Sequence, residues 1–187
     1  MNLSPWVTLA LILCGVSVLA AAWSYLPVAW GAPWVPSSSS KIRQMLSLAG
    51  LQPGQTLIDL GAGDGRIVMA AARDFRARAV GVEIDPVRCA IANSLIRLAG
   101  LSGTARVIWG NMHSHDCCDA DVVTVYLLQG TNQKLKDQLS RQLKPGTRVV
   151  SHTFSMEGWV PTVIDEGNGI FVYEVGRTGE GVETRFV

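Results

Sequence analysis

The hydrophobic pattern divides the chain into two parts of different character. From Trp6 to Trp23, eighteen residues read WVTLALILCGVSVLAAAW without a charge, and apolar residues lie all around the helix that this segment would form. From residue 56 onward, short apolar runs alternate with longer segments in which apolar residues recur every three or four positions. Short runs indicate strands and the longer period indicates amphipathic helices. The pattern therefore predicts one uniformly apolar helix followed by an α/β domain.

The second part predicts strands alternating with helices, and then strands alone. The predicted strands cover residues 56–60, 77–84, 105–109, 122–128, 147–154, 161–164 and 170–175, and the predicted helices cover 41–49, 65–74, 86–99 and 131–143. A Ser at 38–40 is the predicted cap of the first helix, and Thr131 or Asn132 that of the last. This alternation predicts a Rossmann-like, doubly wound sheet of seven strands, mostly parallel, with an antiparallel hairpin at one edge.

The apolar leader predicts a membrane anchor. Extended to Trp30, the run is about 25 residues long, which is enough to cross a hydrocarbon core of ~30 Å as one transmembrane helix. We expect a single-pass membrane anchor over residues 1–30 and a globular domain over residues 31–187. Lys41 and Arg43 follow the span, which favours a cytoplasmic position for the domain. A cleaved signal peptide and a buried core helix are the alternatives, and the basic residues that a signal peptide needs are absent.

The charge balance and the cysteine content argue against a nucleic-acid-binding protein and against a disulfide-stabilised one. The chain has 16 basic and 15 acidic residues, and the first of them is Lys41. With no basic excess, a nucleic-acid partner held by electrostatics is not expected. The four Cys residues do not form a disulfide framework, because one lies in the apolar leader and Cys117 and Cys118 are adjacent. A reducing compartment is the simpler interpretation.

A glycine-rich segment follows the first predicted strand of the domain. It reads DLGAGDGR over residues 59–66, where glycines permit a tight turn and a close approach of the backbone to a ligand. Glu83 ends the next predicted strand, and an acid at that place can accept both hydroxyl hydrogens of a ribose. The segment therefore predicts a site for a ligand that contains a ribose.

Two ribose-containing cofactors, a dinucleotide and S-adenosylmethionine, commonly bind to such a glycine-rich segment and acid. A dinucleotide fingerprint requires a third glycine where this chain has Arg66, and Asp59 and Asp64 would repel a pyrophosphate. The same acids can meet the ammonium group of S-adenosylmethionine, which also carries a sulfonium and a ribose but no phosphate. S-adenosyl-L-methionine is therefore the predicted cofactor, with a dinucleotide or a turn without any ligand as alternatives.

The sequence resembles the seven-β-strand (class I) S-adenosylmethionine-dependent methyltransferases over about residues 33–176. The similar segments are PWVPS, DLGAGDGRIVMAAA, GVEIDP, GNM, VVTVYLL, LKPGTRVVSHTF and a later GW. Together they resemble the broad-specificity protein-lysine methyltransferases of archaea and their relatives in the mitochondrial membrane, which methylate a lysine of a small ATP-synthase ring subunit. The resemblance implies methyl transfer to an accessible lysine of a protein partner, which would be membrane-associated if the anchor is present.

The resemblance also implies roles for individual residues. The amino-acid end of the cofactor would be surrounded by residues of the glycine-rich segment, which are Asp59, Gly61, Gly63 and Asp64. Glu83 would hold the ribose, Asn111 and Met112 would border the adenine, and Ser37 would lie over the cofactor. Tyr126 follows the fourth strand, where the methyl group would emerge.

Methyl transfer from a sulfonium needs little acid–base catalysis, because it is an in-line displacement with a neutral leaving group. The enzyme mainly aligns the nucleophile, and desolvation in an aromatic channel can lower the pKa of a lysine without a dedicated base. We take Tyr126, Asn132 and His152 as candidate catalytic residues. The alternatives are strand packing for Tyr126, a helix cap for Asn132 and a satisfied core histidine for His152.

Three further interpretations remain open. Residues 113–118, HSHDCC, have ligand types suited to zinc, but no second cluster supplies the paired spacing, so no metal is expected. The enzyme could instead methylate a small or lipidic molecule or an RNA, although the N-P-P-Y type motif of amine- and amide-directed enzymes is absent after strand four. A catalytically silent cofactor-binding module is the remaining alternative.

Overall fold

The structure, a computed structural model, describes residues 4–25, 37–177 and 184–187. Its first helix, α1 (Pro5–Tyr25), belongs to a unit of its own. The apolar side chains of α1 that the structure describes are exposed, from Trp6 to Val18. A search of the described residues for a helix long and apolar enough to cross a membrane finds none, so the predicted transmembrane helix is not supported. The predicted domain boundary after residue 30 lies outside the described residues.

The second unit contains an eight-stranded sheet in the order β3-β2-β1-β4-β5-β7-β6-β8. Its strands are β1 (Thr56–Leu60), β2 (Arg78–Glu83), β3 (Ala105–Trp109), β4 (Val122–Val125), β5 (Arg148–His152), β6 (Val163–Asp165), β7 (Ile170–Glu174) and β8 (Arg185–Phe186). Its helices are α2 (Ser39–Leu48), α3 (Arg66–Asp74), α4 (Pro86–Leu98) and α5 (Gln129–Gln142). Strands β1 to β5 are parallel, and β7 runs antiparallel to both β5 and β6. This confirms the Rossmann-like α/β fold with an antiparallel edge.

Helices pack on both faces of the sheet, as in a doubly wound fold. Helices α2, α3 and α4 share one apolar core with the strands, formed around side chains such as Leu46, Val68 and Val150. Helix α5 packs on the opposite face, because its Asn132 bonds to Ser151 and successive strand residues point to opposite faces. The carboxyl ends of the five parallel strands therefore meet at one edge, between the two layers of helices.

Side-chain caps explain where two of the four helices of this unit begin. Ser38 caps α2 by accepting a hydrogen bond from the Lys41 N–H at 3.3 Å, and Asp85 caps α4 ahead of Pro86. The predicted cap of α5 is wrong: the helix begins at Gln129, after Leu128, and no side chain caps it. The predicted fourth strand is correspondingly too long, because the chain leaves the sheet after Val125. The eighth strand, which pairs with β6, lies in a tail for which the sequence predicted nothing.

The connection from β3 to β4 contains no α-helix. It holds only a 3-10 turn, Met112–Ser114, so the second face of β2 and β3 is incompletely covered. A cavity of about 630 Å³ opens there, at the amino ends of the strands and away from the glycine-rich segment. Its lining mixes apolar strand residues with charged ones, including Ile58, Arg106 and Asp121.

An arginine fixes the carboxyl end of α2 to the sheet. Arg148 on β5 donates from Nη1 to the carbonyl oxygens of Ala49 and Gly50, both at 2.8 Å. A cation at this position satisfies carbonyls that the helix leaves unpaired and interacts favourably with the helix dipole. The amino end of α2, which begins beside Ser37, is directed by this contact toward the carboxyl edge of the sheet.

Candidate cofactor and acceptor site

The glycine-rich loop lies between β1 and α3 and adopts a backbone that only glycine tolerates well. Gly61, Gly63 and Gly65 have φ angles of 87°, 56° and 76°. The loop is held against β2, because the Gly61 and Ala62 N–H groups both donate to the Val82 carbonyl, at 2.9 and 3.0 Å. The loop therefore keeps a fixed shape and presents backbone rather than side chains at Gly61 and Gly63.

A glycine on β2 makes this close approach possible. A Cβ atom at Gly81 would lie 2.5 Å from the Ala62 Cβ and 3.0 Å from the nearest Val68 and Val107 methyl carbons. Such distances are too short for any larger residue without displacement of the loop. Sequence reasoning missed Gly81, because an isolated glycine in a strand gives no indication of what crosses above it.

Glu83 lies at the end of β2 and is 5% exposed. Its Oε2 accepts the Gly63 N–H at 2.7 Å and its Oε1 accepts the Asp85 N–H at 2.9 Å. The two backbone donors fix the plane of the carboxylate and leave further lone pairs on both oxygens. Glu83 is therefore oriented to accept two more hydrogen bonds, as the predicted contact with ribose hydroxyls requires.

Asp59 is buried at the carboxyl end of β1. Its Oδ1 accepts a hydrogen bond from the Thr124 hydroxyl at 2.7 Å. Burial raises the pKa of Asp59 to about 7, the Thr124 hydrogen bond opposes this change, and the charges of Glu83 and Asp64 add to it. Three acids thus face one small volume, which is an arrangement that a cationic ligand would stabilise.

Asp64 is bound by an arginine from the start of α3. The Arg66 Nε donates to Asp64 Oδ1 at 2.9 Å, and Arg66 Nη1 donates to the Ser37 carbonyl at 2.7 Å. One guanidinium therefore joins the glycine-rich loop to the segment before α2, and Ser37 is buried beside it. In the sequence, Arg66 counted only against a dinucleotide. Its structural role connects residues 29 apart, which no local pattern reveals.

The predicted adenine border lies beyond β3. Met112 is buried, whereas Asn111 is exposed and its Oδ1 accepts the His113 N–H at 3.0 Å. Trp109 is 70% exposed, and its indole N–H donates to the Ile84 carbonyl at 3.0 Å. Trp109 pairs with Glu83 in the sheet, and Asn111 and Met112 follow this edge strand. Their contact with adenine stays a prediction.

The segment after β4 connects the loop to a second group of candidate residues. A Cβ at Gly61 would lie 3.1 Å from Leu127 Cδ2, so this segment packs directly on the glycine-rich loop. The rings of Tyr126 and His152 are in contact, with centroids 4.2 Å apart and an angle of 48° between their planes. The structure therefore places Tyr126 and His152 together beside the loop.

His152 ends β5 and is 4% exposed. Burial lowers the pKa of His152 to about 4, the nearby Lys41 charge lowers it further, and a hydrogen bond with the Asn168 backbone acts in the opposite direction. The imidazole is therefore neutral at physiological pH. Its Nδ1 is buried and has no hydrogen-bond partner, so the interpretation of His152 as a satisfied core histidine is wrong.

Asn132 is fully buried in the first turn of α5. Its Nδ2 donates to Ser151 Oγ at 3.0 Å and to the Phe154 carbonyl at 3.2 Å. The interpretation of Asn132 as a helix cap is wrong, because these contacts bind it to the end of β5. Asn132 therefore stabilises the residues on both sides of His152.

The later GW segment, which contains Trp159, and the HSHDCC segment lie apart from this site. Trp159 is half-buried and packs edge-on against Tyr173, with ring centroids 5.7 Å apart. In the connection from β3 to β4, burial raises the pKa of the Cys117 thiol to about 12, which disfavours a thiolate ligand. Among the described residues, no group of three or more His, Cys, Asp or Glu side chains is placed to hold a metal ion.

Comparison with known proteins identifies the family. A family model described as the ANTKMT methyltransferase domain matches residues 59–163, which span the site from Asp59 to the start of β6. The chain belongs to this methyltransferase family. The methyltransferase is 41% identical over 161 residues to a protein-lysine N-methyltransferase of Saccharolobus islandicus, an alignment that covers 82% of this chain and 98% of the relative.

Two further relatives support the same family. The methyltransferase is 32% identical to the adenine nucleotide translocase lysine N-methyltransferase of Mus musculus, with 85% of this chain and 70% of that protein covered. It is also similar to the crystal structure of an RNA methyltransferase from Salinibacter ruber in complex with S-adenosyl-L-homocysteine. That similarity has a TM-score of 0.74 and 40% identity, and it covers 80% of this chain and 99% of the other.

The methyltransferase uses S-adenosylmethionine, and its described residues fit this cofactor. Glu83 has free lone pairs for two ribose hydroxyls, and Asp59 supplies negative charge for a cation. The bound cofactor supplies a methyl group on a positively charged sulfur. The contact of Asp64 with the cofactor stays a prediction, and in this structure its carboxylate is held by Arg66.

Proposed function

We propose that this enzyme transfers methyl groups to lysine side chains of proteins. The observation that carries the proposal is the 41% identity to the protein-lysine N-methyltransferase of Saccharolobus islandicus, which covers 82% of this chain and 98% of that relative. The mouse relative, which is also named a lysine N-methyltransferase, supports the same acceptor class. In this proposal Tyr126, Asn132 and His152 form the acceptor side of the site.

The acceptor side has the chemistry that a lysine needs. A lysine attacks only when its amine is unprotonated, and an apolar, aromatic surrounding disfavours the charged form. The Tyr126 and His152 rings supply such a surface, and His152 adds no charge because it is neutral. The chain's contribution is therefore desolvation and alignment rather than removal of a proton by a strong base.

A labelling experiment tests this acceptor class. The full chain, with methyl-labelled S-adenosylmethionine and a lysate of membranes and cytosol, should label protein, and acid hydrolysis should release the label as methylated lysine. Glu83→Gln is the matched variant, because it keeps the size of the side chain and removes its charge. Label found in arginine, glutamine or lipid, in place of lysine, would contradict the proposal.

An RNA acceptor is the second candidate, because the structure from Salinibacter ruber that is 40% identical is described as an RNA methyltransferase. The net charge of +1 argues against it, since RNA binding generally depends on a basic surface. Nuclease treatment of the labelled lysate separates the two. Label that disappears with ribonuclease and survives protease would favour RNA.

We propose separately that residues 1–30 tether the enzyme to a membrane, with the methyltransferase domain on the cytoplasmic side. The support is the charge-free sequence before Lys41 and the exposed apolar side chains of α1. Carbonate extraction of cells that express the full chain tests the tether, and protease protection of the domain tests the topology. Release of the full chain by carbonate would refute the tether.

A further inference from the structure

Buried polar atoms without partners are rare, and the described part of the chain has three on its side chains. They are Asn132 Oδ1, Gln133 Oε1 and His152 Nδ1. An unpaired buried acceptor costs about 1–3 kcal/mol, so such atoms commonly mark a place that a ligand or water completes. All three lie near the carboxyl ends of β4 and β5, on the acceptor side of the site.

Of these three atoms, His152 Nδ1 is the one that most clearly needs a bound ligand to complete its hydrogen bonding. Gln133 is half-buried, so a small movement brings its amide to solvent. The Asn132 amide is committed through Nδ2 to Ser151 and Phe154, and Ser151 also donates to the Phe154 carbonyl. His152 is 4% exposed, and no described residue forms a hydrogen bond with its Nδ1.

The protonation state of His152 makes Nδ1 an acceptor. A neutral imidazole has one N–H and one nitrogen with a free lone pair. Nδ1 has no partner among the described residues, so no acceptor there would hold a proton on Nδ1. With the proton on Nε2, Nδ1 offers its lone pair to any N–H that enters the site.

The position of His152 connects it to the reacting end of the site. In the parallel register Leu60 lies beside Val125, and Val125 lies beside Ser151, so the next residue along each of these three chain segments lies at the same edge of the sheet. Those residues are Gly61 of the cofactor loop, Tyr126 and His152. The Tyr126 ring lies against His152, while Leu127 packs on Gly61.

We propose that His152 Nδ1 accepts an N–H of the unprotonated substrate amine and thereby directs the nitrogen lone pair toward the methyl group. The inference rests on the proposed lysine acceptor. Asn132 is a positioning residue, because it fixes Ser151 and Phe154 on either side of His152. The amine nitrogen forms a bond to the methyl carbon as the carbon–sulfur bond breaks with its electron pair on sulfur. The resulting ammonium then releases one proton to water.

This role depends on how many N–H groups the acceptor carries. Lysine and monomethyllysine amines have an N–H to donate, whereas a dimethyllysine amine has none. Loss of Nδ1 should therefore slow methylation of the first two and leave methylation of dimethyllysine unchanged. A merely structural role for His152 would change all three equally.

The test compares His152→Phe, which keeps a ring against Tyr126, with His115→Phe, a matched change in the β3–β4 connection. The substrates are lysate proteins as isolated and the same proteins after reductive dimethylation of their lysines. We expect His152→Phe to lower labelling of untreated proteins by about 10- to 100-fold and to leave the dimethylated proteins unaffected. His152→Asn, which places an amide oxygen near the position of Nδ1, should recover part of the activity.

A binding measurement gives a second readout that needs no turnover. In the S-adenosylhomocysteine complex of the full chain labelled with ¹⁵N-histidine, N-acetyl-lysine methylamide at high pH should shift the His152 Nδ1 resonance. The norleucine analogue, which has no amine, should not. An absent shift, or equal losses on both protein substrates, would overturn the role of His152. Absence of methyllysine with the unmodified enzyme would instead refute the proposed function.

Discussion

Replacing Asp59 by Asn should separate the cost of burying this carboxyl group from its use in binding the cofactor. Asp59 is 2% exposed and accepts a hydrogen bond from Thr124. Asn keeps the acceptor oxygen and the shape of the side chain but cannot ionise. The variant therefore removes a single property, the negative charge in a buried place beside Glu83 and Asp64.

The pKa of Asp59 sets the magnitude and the pH range. It rises from 3.8 to about 7 on folding, mainly through burial. A buried acid with a raised pKa favours the folded state only while it is protonated, so its contribution is complete below pH 4 and is lost as the pH rises toward 7. At about 1.4 kcal/mol per unit, the wild type should lose about 4 kcal/mol of unfolding free energy relative to Asp59→Asn between pH 4 and pH 8.

Cofactor affinity should change in the opposite direction. A positively charged ligand favours the ionised carboxyl, so wild-type affinity should rise roughly tenfold from pH 6 to pH 8 as Asp59, with a pKa of about 7, ionises. Asp59→Asn should bind more weakly at pH 8 and lack this rise. The variant should thus be the more stable protein and the poorer enzyme.

Urea denaturation of the full chain without cofactor, at pH 4 to 8, measures the change in stability, and calorimetric titration with S-adenosylmethionine at pH 6 to 8 measures the change in affinity. Asp119→Asn is the control, because the Asp119 side chain is 87% exposed and its ion pair with Lys144 is long, at 3.5 Å. Its stability should stay within about 0.5 kcal/mol of wild type. If the stabilities of wild type and Asp59→Asn change in parallel across this pH range, Asp59 is ionised throughout and the reasoning fails.

Three other substitutions test the site. Glu83→Gln should weaken S-adenosylmethionine binding by about 1–3 kcal/mol, since it loses an acceptor in a fixed position; calorimetry measures this, and unchanged affinity would remove Glu83 from the site. Gly81→Ala should lower the unfolding free energy by about 1–3 kcal/mol, because its Cβ would lie 2.5 Å from the Ala62 Cβ; an unchanged urea midpoint contradicts this. Arg66→Lys should make the chain around Ser37 more sensitive to protease, since a lysine cannot bond to both the Asp64 carboxylate and the Ser37 carbonyl. Equal cleavage rates of the variant and the wild type would contradict this.

Structural features that depend on contacts between residues close in the sequence were predictable. The cap at Asp85, Pro86 and the glycine after α4 act locally, and that helix was predicted to within one residue. The glycine-rich loop and Glu83 were also predictable, because strand–turn–helix geometry fixes where an acid at the end of the next strand must lie. The mostly parallel sheet followed from the alternation of the two hydrophobic periods.

Features that depend on distant partners were not predictable. The Thr131-Asn132 pair looks like a helix cap, yet tertiary contacts with Ser151 and Phe154 bury Asn132 inside the first turn. The partner of Arg66 lies 29 residues earlier, and pairing of β8 with β6 joins residues about twenty apart. In each case the deciding contact forms only after the sheet has brought the segments together.

An arginine forms hydrogen bonds at each end of helix α2, and the two ends differ in the number of these bonds. Arg148 secures its carboxyl end with two hydrogen bonds to β5, whereas Arg66 secures the residue before its amino end with one. The weaker fastening is the one beside the cofactor loop. A displacement of Ser37 would therefore break one arginine hydrogen bond next to the cofactor loop and leave both of those at the other end of α2 intact.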